Sequence, residues 1–92
     1  MINWRIHDES RHNALKTFSQ LTLQEELGDY ADKIKVIGRW HDLVGFTGVA
    51  IVETEDINAI NNWLLKWNHI VDASATPVLD DEETRETGRA IG

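Results

Sequence analysis

Ile34-Lys35-Val36-Ile37-Gly38-Arg39-Trp40-His41, followed after a short break by Gly45-Phe46-Thr47-Gly48-Val49-Ala50-Ile51-Val52-Glu53, decides how this chain folds. Both runs are rich in β-branched and aromatic residues, which suit a pleated, half-buried surface, and together they read as a hairpin. Val49-Ala50-Ile51-Val52 places apolar side chains on both faces, as a strand in the middle of a sheet does. Gly38, Gly45 and Gly48 read as bulge or turn residues, because no GxGxxG or GxxxxGK[ST] phosphate loop surrounds them.

Outward from this hairpin the pattern repeats on each side. Upstream, Ile2, Trp4 and Ile6 alternate with Asn3, Arg5 and His7, the period of a strand with two different faces. Asp8 or Ser10 then caps a helix over roughly residues 10–27, with Ala14, Leu15, Phe18 and Leu21 at helical spacing and Gly28-Asp29 as its stop. Downstream, a cap at Thr54 or Asp56 starts a second helix whose stripe is Ile57, Ile60, Leu64 and Trp67, broadened by Trp63, ending near Asn68-His69. Ile70 to Leu79 is the last strand, and Pro77, which lacks an N–H, confines it to an edge. The order strand, helix, strand, strand, helix, strand predicts an α+β, ferredoxin-like βαββαβ domain over residues 1–79: an antiparallel four-stranded sheet of order 4-1-3-2 with both helices on one face. Residues 80–92 form an acidic tail holding five of the sixteen acids, read as a solvated terminus or a short helix that docks on a second subunit.

Composition bounds the function. Ninety-two residues make one domain with a thin core, and the 41% apolar and 27% charged fractions exclude a disordered chain. A formal charge of −7 repels phosphate backbones, so nucleic acid is not an expected partner. The absence of cysteine excludes thiolate chemistry and agrees with a reducing, cytoplasmic location. No signal peptide or membrane span is visible. His7, His12, His41 and His69 form no HExxH or other metal-ligand spacing, so no metal and no cofactor are expected.

Two helices cover only one face of such a sheet, and the other face is too apolar for water, which predicts a homodimer paired through the open sheet faces. If Ile2, Trp4 and Ile6 turn toward the helices, Asn3, Arg5 and His7 turn away, while Arg39 and His41 share one side of their strand. A partly polar chamber between the sheets follows, with Glu53 as counter-charge. Arg39, Trp40, His41, Glu53, Trp63 and Trp67 are the candidate ligand-binding residues: His41 titrates near neutrality, Arg39 can hold an anionic oxygen, and Trp63 and Trp67, at i and i+4, can flank a flat ligand.

The blocks Gly38-Arg39-Trp40-His41-Asp42, Gly48-Val49-Ala50-Ile51-Val52-Glu53-Thr54, Trp63 to Trp67 with Asn68, and Pro77-Val78-Leu79-Asp80-Asp81-Glu82-Glu83 resemble a family of small bacterial proteins catalogued as Domain of Unknown Function 3303. The likeness spans about residues 33–83; residues 1–32 agree in layout alone. That family resembles the dimeric α/β-barrel group, in which two ferredoxin-like units join their sheets. The wider group includes cofactor-free monooxygenases, haem-degrading enzymes and stress-response proteins, so the resemblance implies a fold but no reaction. The leading expectation is a homodimer that binds a small molecule between its sheets or acts as an accessory protein. The alternative is a cofactor-independent monooxygenase or isomerase acting on a small enolisable substrate, with His41 as base and Arg39 steadying the anion. A third reading makes the chain purely structural, its tail docking on a partner.

Overall fold

The computed structural model describes residues 1–92. Alternation at the N-terminus gives strand β1 (Ile2–Ile6), and the central hairpin gives β2 (Lys35–Asp42) and β3 (Thr47–Glu53). Helix α3 (Ile57–Trp67) follows, then β4 (Val71–Ala75) and α4 (Asp81–Ile91). The four strands form one antiparallel sheet of order β2-β3-β1-β4, the predicted 4-1-3-2 read from the other edge. β4 is an edge strand, as Pro77 requires, but it is shorter than predicted. Its pairing ends where the Thr76 N–H donates to the Met1 carbonyl, and Pro77 has no N–H to go further.

The segment predicted as one helix over 10–27 is two. After a 3₁₀ turn at Asp8–Ser10, α1 covers Arg11–Gln20 and α2 covers Leu23–Leu27. Neither Asp8 nor Ser10 caps α1 with its side chain; Asp8 pairs instead with Arg11 at 2.9 Å. The break comes from Thr22. Its hydroxyl accepts from the Glu25 N–H at 3.1 Å, while the Glu25 carboxylate accepts from the Thr22 N–H at 3.0 Å, a reciprocal cap that starts a new helix. α2 stops at Gly28, whose φ of +55° favours a residue without a side chain. Asp56 caps α3 by accepting from the Asn58 N–H at 2.9 Å.

α1, α2 and α3 lie on one face of the sheet. Ile2 and Ala50 of the sheet meet Leu27, Ala59, Ile60 and Trp63 from the helical layer, with Ile34 closing the cluster. These are the only seven buried residues, so the core is as thin as the length implies. Trp4 packs on this core by lying over Gly48, where an added Cβ would collide with the indole.

β2 carries a bulge. Val36 pairs with Val52 and Gly38 with Ile51, so Ile37 is an extra residue with no partner. Two steps along β2 match one along β3, and the inside-outside alternation of β2 reverses at that point. α4 begins on a second reciprocal cap between Asp80 and Glu83 and carries an i to i+4 pair, Asp81 with Arg85 at 3.8 Å. Every residue of α4 is exposed.

Candidate functional site

The reversal at Ile37 places the chemistry of β2. Arg39 stands opposite Ala50 and His41 opposite Gly48, and Ala50 and Gly48 stand opposite Ile2 and Trp4 of β1. Residues paired across antiparallel strands share a face. Arg39 and His41 therefore point under the helices, not onto the open face. The expectation that they line a chamber between two sheets with Glu53 is corrected: Glu53 stands opposite Lys35, three residues from Ala50, and has the opposite facing. Trp40 also has the outer facing, opposite Val49, with its ring folded over Gly38 and 61% exposed.

Glu26, from α2, is the counter-charge of Arg39. Its two carboxylate oxygens accept from the guanidinium at 2.6 Å and 2.9 Å, a bidentate pair whose side chains are 15% exposed for Arg39 and 11% for Glu26. The guanidinium also lies over the Phe18 ring at 5.0 Å. His41 sits beside it, its ring 5.0 Å from Phe18 and 5.3 Å, edge-on, from Trp4. Burial and the Arg39 charge lower the His41 pKa below its ordinary 6.5 against the opposing pull of Glu26, which favours the neutral imidazole. Glu26 was not singled out in the sequence. The Thr22-x-x-Glu25 capping signature announces the short helix that presents it, but no spacing pattern connects Glu26 to Arg39.

Between the sheet, α1 and α3 is a cleft with a volume of about 130 Å³. It brings together four of the six candidates, Arg39, His41, Trp63 and Trp67, along with Glu26 and Phe18; Trp40 and Glu53 are excluded from it. Fifteen of its twenty lining residues are hydrophobic, so an apolar occupant is favoured. α1 forms its outer wall without burying any residue of its own, and Phe46, at the end of the β2–β3 turn, closes one corner. Phe46 has a φ of +54°, uncommon for a bulky residue. Its ring is held there by Arg11 at 4.9 Å and by an edge contact with His12.

Trp63 and Trp67 supply a further feature. Both indole N–H groups are buried and neither has a hydrogen-bond partner. Trp63 itself is 4% exposed. Elsewhere, His7 and Asp72 join the ends of β1 and β4 at 3.0 Å, outside the cleft. No three His, Asp or Glu side chains are grouped to hold a metal ion, and no helix is long and apolar enough to cross a membrane.

The model of the family described as Domain of unknown function (DUF3303) matches residues 1–92, the whole of the sequence above, including the first 32 residues where the resemblance rested on layout. No curated protein and no solved structure matches the chain. The chain belongs to the DUF3303 family.

Proposed function

We propose that this member of the DUF3303 family is a small-molecule-binding protein that pairs as a homodimer, with one ligand cleft inside each subunit. The observation behind the binding reading is the cleft: an apolar enclosure of about 130 Å³ where Arg39, His41, Trp63 and Trp67 converge. A cavity of about 150 Å³ lined by aliphatic and aromatic side chains admits benzene, so this one suits a ligand of about one ring. Benzene is accordingly the generic probe. Saturation should raise the Tm of the purified protein, since a ligand that binds only the folded chain stabilises it. A Tm unmoved by benzene, together with no retained small molecule in native mass spectrometry of protein from its own source, would end this reading.

Pairing is supported by the open face and by the surface as a whole. Trp40 and Ile37 are 61% and 52% exposed, and Val49 and Ile51 flank Trp40 and Gly38. The chain exposes 6619 Å². A compact monomer of this length exposes about 5,400 Å². Face-to-face pairing as in the dimeric α/β-barrel group would cover the β2–β3 half of the sheet. The β1–β4 half, with Asn3, Arg5, Asp72 and Ser74, would form a polar flank.

A second reading, a cofactor-independent isomerase or oxygenase, draws on the place of His41 in the cleft lining, with its pKa lowered so that the free base is favoured. Arg39 is already neutralised by Glu26, so it offers a developing anion less than a free guanidinium would. Unchanged turnover by His41→Ala, once a substrate is found, would dismiss this reading.

A further inference from the structure

The two indoles of α3 define what the cleft can hold. An N–H buried without an acceptor is destabilising by roughly the desolvation cost of the group, and native proteins rarely leave such donors unmatched. Here two of them, Trp63 and Trp67, stand one helical turn apart and both line the same cleft. The charged side chains that line the cleft with them are Glu26, Arg39 and Asp42, and Asp42 accepts from the Val44 and Gly45 N–H groups. Arg39 and Glu26 satisfy each other through two hydrogen bonds, so the pair offers no net charge. The lowered pKa of His41 favours its uncharged form.

We propose that the cleft takes a small, neutral, ring-sized molecule bearing a carbonyl-type oxygen, which accepts hydrogen bonds from the Trp63 and Trp67 indoles while its hydrocarbon part packs against Phe18 and the sheet. This rests on the small-molecule reading and narrows it to a chemical class. An anionic ligand would find no unpaired cation, and a pure hydrocarbon would leave both donors bare.

The test compares cyclohexanone with its hydrocarbon isostere methylenecyclohexane and with cyclohexanecarboxylate, on the full chain and on Trp67→Phe and Trp63→Phe. Phenylalanine keeps a ring and removes the donor, and circular dichroism confirms that each variant is folded. The chain has four tryptophans, so its four indole N–H resonances can be assigned by single Phe substitutions. Cyclohexanone should move the Trp63 or Trp67 resonance downfield. At least one Phe variant should bind the ketone about fivefold more weakly, the worth of one net hydrogen bond, with the hydrocarbon unchanged within about twofold. Equal losses for ketone and hydrocarbon, or ketone binding that leaves both resonances in place, would overturn the proposal and leave the cleft a binding site. Tighter binding of the carboxylate would overturn it in favour of an acid. If none of the three probes binds the wild-type chain, the proposal is overturned, while the small-molecule reading stands or falls on benzene and native mass spectrometry.

Discussion

Arg39 and Glu26 are the most constrained pair in the molecule, because each holds a charge that the thin core could not otherwise accept. Replacing one partner strands the other. Glu26→Gln should cost about 2 kcal/mol, read as a lower urea midpoint at unchanged m-value, whereas Glu26→Leu combined with Arg39→Met should recover most of that loss. Two histidines set the pH response with opposite signs. The hydrogen bond that the His7 ring donates to Asp72, and the charge of Asp72, raise the His7 pKa above its ordinary 6.5, against a smaller effect of burial. Its stabilising contribution is therefore complete below 6.5 and lost as pH climbs through the raised value. Burial first, then Arg39, lower the His41 pKa below 6.5. Its contribution is complete above 6.5 and lost as pH falls through the lowered value. Titration followed by proton NMR should show His7 titrating above His41, and Asp72→Asn should return His7 toward 6.5 without moving His41. Coincident titration of the two rings would contradict this assignment.

Among the elements, the strands were legible because their signals are local: period-two alternation in β1, β-branched density in β2 and β3, and Pro77 marking an edge. Helix boundaries were less so. Phe18 and Leu21 continue a helical stripe toward Leu27, and that periodicity hid the Thr22–Glu25 cap, a signal present in the sequence and overridden by the longer pattern. The facing of β2 was not legible at all. A bulge is fixed by pairing with a partner strand, and nothing in Val36-Ile37-Gly38 alone says which residue goes unpaired. That one residue moved Arg39 and His41 from the open face to the cleft, separated Glu53 from them, and concealed Glu26 as the counter-ion; Trp40, next to both on the strand, faces away from them by simple alternation. α4 yields a test at this scale. Gly88 lies mid-helix with open space around it, so Gly88→Ala should strengthen the helix by about 1 kcal/mol and raise ellipticity at the helical band. Because α4 is exposed on every residue, the Tm of an isolated subunit should stay unchanged; a rise confined to concentrations where the chain is paired would place α4 against the partner.

As a whole molecule the chain measures 50 × 29 × 18 Å, with a radius of gyration of 15.0 Å. A compact chain of this length has about 12 Å. The wholly exposed α4 extends the shape and adds to the surface. Trp40→Glu should hold the chain as a monomer in analytical ultracentrifugation at concentrations where the wild type is a dimer, while leaving benzene binding intact, since Trp40 lies on the far side of the sheet from the cleft. Loss of both together would mean that the cleft depends on the pair. Strand β2 thus has two different sides: Trp40 stands on the outer one, and Arg39 and His41 stand on the side of the cleft. Deleting Ile37 would leave Arg39 opposite Ala50 and Trp40 opposite Val49, so both facings would survive, and the strand would lose only the local bend and added twist of its bulge.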